Sequence, residues 1–125
     1  MTTSFHGITP GLRAEETWIV TDAMVTRHVG GTGVLSTPHM IGMMEDTAAA
    51  ATKPFLPDDH TTVGYEVSIR HRAATPPGMR VTVIAELLDI DGRRLHFRVE
   101  ARNEHELIGE GTHRRTIVPV GVLGG

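Results

Sequence analysis

The chain has 125 residues, 39% of them hydrophobic and 22% charged, enough for one domain with an ordinary core. A net charge of −3 gives no reason to expect binding to nucleic acid or to an anionic membrane surface. With no cysteine, disulfides, thiolate nucleophiles and thiolate metal sites are excluded, and the eight histidines show no H-E-x-x-H or other metal spacing.

Residues 1–14 read as irregular, because Gly7, Pro10 and Gly11 break any period. The opening Met-Thr-Thr-Ser-Phe-His has no basic segment leading into an apolar run, and nothing resembles a membrane span. A cytoplasmic location is the expectation. Glu15 to Val25 reads as the first strand, with Trp18, Val20 and Val25 suited to a pleated surface. Arg27 to Ser36 is too glycine-rich for a helix. Its Gly30-Gly31-Thr32-Gly33 lacks the lysine and spacing of a phosphate-binding loop, so a flexible connector or lid is expected.

Thr37 to Ala51 is the one long helix. Pro38 suits the first helical position, which puts Thr37 at the N-cap. Glu45 is the unusual residue of this segment. Its neighbours at three and four residues are Ile41, Gly42, Ala48 and Ala49, so a carboxylate shares an apolar stripe. Either it lies buried there and serves chemistry, since burial raises a carboxyl pKa, or it sits at the stripe's edge and reaches water. Asp46, about 100° further round, points to solvent. Met40, Met43 and Met44 are expected to fill the core.

Thr52 to His60 is a connector with two prolines. Four strands follow: Thr61 to Arg72, Arg80 to Ile90, Arg93 to Arg102 and Leu107 to Val118. Arg80 to Ile90 carries apolar residues on both faces and suggests a central strand covered on both sides. Asp91-Gly92 is a two-residue hairpin signal. Arg93 to Arg102 alternates Leu95, Phe97, Val99 and Ala101 against His96, Arg98, Glu100 and Arg102, a strand with one wet face. Gly109 and Gly111 suggest a bulge or a close backbone approach. The tail, 119–125, reads as irregular. The order β-α-β-β-β-β gives an α+β domain in which one helix covers a curved antiparallel sheet of about five strands, the hotdog arrangement. A free sheet edge would need covering, and dimerisation is one way to do so.

The segment Thr37 to Glu45, the Gly64…His71 spacing, Ala73-Ala74-Thr75-Pro76-Pro77-Gly78, Asp91-Gly92-Arg93-Arg94-Leu95 and Gly109-x-Gly111-Thr112-His113 together resemble the hotdog-fold acyl-CoA thioesterases, specifically the fluoroacetyl-CoA thioesterase family. The likeness runs without gaps from about Thr37 to Val118. It implies a homodimeric hydrolase acting on a coenzyme A thioester, with no cofactor beyond the coenzyme A of the substrate. It also implies a catalytic set of Thr37, Glu45 and His71, with Gly64 at the acyl site and Arg115 supporting it. One departure stands out. The fluoroacetyl-specific enzyme has a bulky aromatic gate six residues before the threonine, where this chain has Gly31. Thioester hydrolysis therefore carries over better than selectivity for a fluorinated acyl group.

The residues themselves allow this chemistry and also plainer roles. Thioester hydrolysis needs an activated oxygen, a proton carrier and donors to an oxyanion. Thr37 could attack or hold water beside the free N–H groups of a helix start, or it could simply cap the helix. His71 titrates near neutrality, but it could equally be a surface histidine between Arg70 and Arg72. Glu45 lies about 12 Å along the helix from Thr37, so substrate, water or a strand must bridge them. Gly64 would admit a small acyl group or merely kink or bulge a strand. Arg70, Arg72, Arg114 and Arg115 are candidates for the phosphates of coenzyme A. The alternatives are a binding module that holds acyl-CoA or another small ligand without turnover, a carrier-protein thioesterase, and a hotdog hydratase, whose Asp…His motif on a longer helix is not seen.

Overall fold

A computed structural model describes residues 5–121; the expected irregularity of residues 1–4 and 122–125 lies outside them. The elements are β1 (Arg13–Ile19), a 3₁₀ turn (Asp22–Met24), β2 (Val25–Thr26), β3 (Val34–Leu35), α1 (Thr37–Thr52), a second 3₁₀ turn (Lys53–Phe55), β4 (His60–His71), β5 (Arg80–Asp91), β6 (Arg94–Arg102) and β7 (Leu107–Pro119). The long strands form one antiparallel sheet in the order β1-β5-β6-β7-β4, and β2 pairs only with β3. The expected fold is therefore present: one helix against a five-stranded antiparallel sheet. None of the described helices is long and apolar enough to cross a membrane.

Two expectations about strands need correction. The strand read over Glu15–Val25 starts at Arg13 and stops at Ile19. Val20 is buried, but its backbone is bonded to Met79 and Gly78, and the chain then turns away through Asp22–Met24. Val25 belongs to the small ribbon that carries the chain toward α1. β5 is interior to the sheet, yet only one of its faces is covered. Val81, Val83, Ala85 and Leu87 are buried, whereas Thr82, Ile84 and Glu86 are half-buried and Leu88 is exposed. This single-helix fold has no second layer to cover the outer face.

The core lies between α1 and the inner face of the sheet. Met40, Met43, Met44, Ala48 and Ala51 pack there with the inward residues of β5, β6 and β7. The irregular N-terminal segment adds Phe5 and Ile8 to it. The two glycines of β7 allow close approach. A Cβ at Gly109 would lie 2.5 Å from Met40 Sδ, and one at Gly111 would run into the Ser68 carbonyl. Small residues at these points let helix and strands sit close together.

Candidate active site

The start of α1 differs from expectation by one residue. Ser36 is the N-cap; its Oγ accepts a bond from the His39 N–H at 3.2 Å. Thr37 is the first helical residue and Pro38 follows it. This frees the Thr37 hydroxyl, which lies 2.8 Å from His71 Nδ1 at the end of β4. It also reduces the donors that a helix start normally offers. Pro38 has no N–H, while those of His39 and Met40 bond to Ser36, so the Thr37 amide is the one left for an oxyanion.

His71 is half-buried. Burial holds its pKa below the ordinary histidine value, opposed in part by the backbone of Ala73. Its Nε2 is the one buried side-chain N or O atom without a hydrogen-bond partner among the described residues. An open cleft of about 300 Å³ adjoins it, lined by Val34, Thr37, His71, Arg72, Ala73 and Ala74.

Glu45 does not join this pair; it belongs to a second cluster. It is half-buried at the edge of the helix's core face, flanked by the half-buried Ile41, Gly42 and Ala49, while Asp46 is exposed. A Cβ at Gly64 would lie 3.0 Å from Glu45 Oε2, 3.2 Å from Arg115 Nη1 and 2.8 Å from His113 Cε1. Only a glycine leaves that space open. Arg115 is 8% exposed. Its Nε donates to Thr62 Oγ1 and its Nη2 to the Thr62 carbonyl, both at 2.9 Å. Burial lowers its pKa, and the charges of Glu45 and Asp46 favour its cationic form. Arg115 is thus built into the interior rather than placed at a mouth. Arg72 and Arg114 are held by Glu110 and Glu66, and Arg70 is exposed.

Sequence reading gave His113 no role. It is 1% exposed, donates from Nδ1 to the Glu66 carbonyl at 2.9 Å and accepts from Arg115 Nη1 at Nε2, 3.2 Å away. Its inward position two residues from Arg115 was a usable signal; its partners were not. A further hollow of about 400 Å³ lies on the Ala49 side of the helix, beyond Glu45, with Lys53, Leu56 and His60 at its walls. Gly31, at the expected gate, is exposed with φ +66°, and no atom lies within 4 Å of where its Cβ would be.

One helix laid on a five-stranded antiparallel sheet, with polar side chains gathered where the helix meets edge strand β4, defines the hotdog class. Structural comparison agrees: a hot-dog-like protein from Thermanaerovibrio acidaminovorans superposes with a TM-score of 0.83 at 19% identity, over 92% of this chain and 87% of that one. The model of the fluoroacetyl-CoA-specific thioesterase family, FlK, matches residues 12–121. The chain belongs to that family, and the resemblance read between Thr37 and Val118 extends over almost its whole length.

Among its relatives is the fluoroacetyl-CoA thioesterase of Streptantibioticus cattleyicolor, 42% identical over 85 residues, which is 68% of this chain and 61% of that enzyme's length. A crystal structure of the fluoroacetyl-CoA thioesterase FlK superposes with a TM-score of 0.84 at 35% identity, covering 90% of each chain. Mutant forms of that enzyme have been solved with fluoroacetate and CoA and with acetyl-CoA. A Thermus thermophilus protein of the thioesterase superfamily is 36% identical with a TM-score of 0.83, over 91% of this chain and 86% of its own.

Proposed function

We propose that this protein hydrolyses a short acyl-CoA thioester to the free acid and coenzyme A, using Thr37, His71 and Glu45. The observation that carries this reading is the 2.8 Å approach of Thr37 Oγ1 to His71 Nδ1. It is a hydroxyl–imidazole pair within proton-transfer reach, beside an open cleft. Burial favours the neutral imidazole, the form that accepts a proton. In this reading Nδ1 takes the proton of the Thr37 hydroxyl as Oγ1 attacks the thioester carbonyl. The C–S bond breaks, and the leaving sulfur takes a proton from the imidazolium at Nε2, the atom with no partner in the protein. Water then adds to the Thr37 ester with its proton passing to Glu45. The Thr37 oxygen leaves as the hydroxyl with the proton of His71 Nδ1 while Nε2 takes one back from solvent, so the acid departs and the pair is restored. Glu45 is the carboxylate beside Gly64 and Arg115, the proposed acyl pocket.

The site is shared between two subunits of a homodimer. Within one chain, Glu45 lies eight residues along the helix from Thr37, and Gly64 lies seven along the strand from His71, roughly 12 Å and 23 Å respectively. β4 is an edge of the sheet, and Gly64 to Ser68 on it are exposed. Two such edges paired antiparallel about Val67 and Ser68 bring Glu45 and Gly64 of one protomer to the partner's Thr37 and His71. The bound CoA, fluoroacetate and acetyl-CoA of the FlK mutants support the substrate class. The lack of a side chain at Gly31, where the family resemblance puts an aromatic gate, favours acyl groups beyond fluoroacetyl.

The test is thiol release from a panel of acyl-CoAs by wild type, Glu45→Ala and His71→Ala. Wild type is expected to turn over at least one short thioester, with each variant slower by about 10²–10⁴-fold. Variants that fold and keep the wild-type rate would refute this site. Acyl-CoA binding without thiol release would make the protein a binding module.

A further inference from the structure

We infer that His113 is a positioning residue, whose one neutral tautomer fixes both the bulge in β4 and the Arg115 guanidinium. Its relevance to turnover rests on the function proposed above. The argument begins with strand parity. Gly64 and His71 are seven residues apart, an odd number, so a regular strand would place them on opposite faces. Both nevertheless face α1. The Cβ direction of Gly64 points at Glu45 and His113, and His71 meets Thr37. The reason is a register shift between Gly64 and Glu66: Gly64 opposes Arg115, Glu66 opposes Arg114, and Tyr65 is the extra residue. A bulge of this kind reverses the phase of everything that follows it. By register, Thr62 and Gly64 lie on the helix-side face before it, and Val67, Ile69 and His71 lie on that face after it, Gly64 and Val67 at its exposed edge.

His113 holds the first residue past the bulge, through its Nδ1–H to the Glu66 carbonyl at 2.9 Å. A carbonyl can only accept, so Nδ1 carries the proton. In a neutral ring Nε2 is then a lone pair, and it receives the Arg115 N–H at 3.2 Å. One ring therefore seats the bulge with one nitrogen and the guanidinium with the other. Protonation at Nε2 would keep the first bond and turn the second into two opposed donors. The charged groups acting on the ring are Arg115 on β7 and Glu45 on α1; Asp46 acts on Arg115 from the exposed side of the helix, and the Glu66 carboxylate is turned to Arg114. Burial and Arg115 lower the His113 pKa against the opposing effects of the Glu66 carbonyl and Glu45. The structure thus favours the neutral form that this geometry requires.

The experiment has two arms. In ¹⁵N-histidine-labelled wild type, the His113 imidazole is expected to stay in the neutral Nδ1–H form at pH 7 and to protonate below the ordinary histidine range of about 6.5. A neutral Nε2–H form, or a charged ring at pH 7, overturns the inference. In the second arm, His113→Asn keeps an amide donor near the Nδ1 position, whereas His113→Gln keeps an acceptor near Nε2 and loses the bond to Glu66. Gln is expected to lower kcat by about 10²-fold, as a misplaced group does, and to move the His71 imidazole resonances. Asn is expected to leave the His71 resonances in place while altering the acid side of the kcat profile. Two folded variants with wild-type kcat, pH profile and His71 resonances also overturn it. If wild type releases no thiol, the proposed function fails, and the tautomer and the His71 resonances still decide this inference.

Discussion

Thr37 and His71 meet through a hydroxyl and a ring nitrogen, and His113 uses both of its nitrogens on protein partners. The two imidazoles share one electrostatic property: burial is the leading cause of a lowered pKa in each. The sign of the linkage follows. Between the folded and the ordinary value, the unfolded chain binds more protons than the folded one, so stability rises with pH across that window. Stability from these residues is complete above about pH 6.5 and declines as the pH falls toward the lowered folded values. Thermal unfolding followed from pH 8 to pH 5 is expected to show a falling Tm below about 6.5, and His113→Asn is expected to flatten that fall. An unchanged slope would mean that His113 titrates alike in both states. Of these residues, Glu45 stood out through the helical period and His71 only through the family resemblance. The partnership of His113 was not legible, because nothing local in a strand says which carbonyl a side chain on the next strand will reach.

The start of α1 shows how one residue of error changes chemistry. Ser36 and Thr37 are both good capping residues, and Pro38 tolerates either of the first two helical positions. The sequence therefore left the cap ambiguous by one place, and the hydrogen bond to His39 resolves it for Ser36. Ser36→Ala is expected to cost about 1 kcal/mol by denaturant unfolding. Thr37→Val, which touches no cap, is expected to cost less stability and far more thiol release. Equal losses of stability would return the capping role to Thr37. The strand read over Glu15–Val25 failed for a related reason. Its apolar spacing continued through Val20 and Val25, but backbone bonds from Val20 to Met79 and Gly78 detach it from the strand. The register shift beside Gly64 agrees with the bulge that this glycine allowed, but its effect on the phase of β4 was not legible, because the strand mixes polar and apolar residues on both faces and a change of phase leaves no mark in such a pattern.

For the whole molecule, the architecture was legible because a single helical period followed by four strand-like runs admits few layered solutions. The shared site proposed above makes a quantitative statement about the two polar clusters. Mixing Glu45→Ala with His71→Ala, each nearly inactive alone, creates mixed dimers in which one of the two sites carries both intact residues. Random exchange is expected to restore about a quarter of the wild-type rate. A site contained within one chain would recover nothing.

The bulge in β4 also has a consequence for descent. Across Gly64 to His71, the number of residues matters more than their identity. Exchanging one side chain for another there leaves His71 facing the helix. Losing or gaining a single residue would preserve the composition of the strand and its pairing edge while presenting the imidazole to solvent. A lineage carrying such a change would keep the appearance of the family and lose the Thr37–His71 pairing without touching either residue.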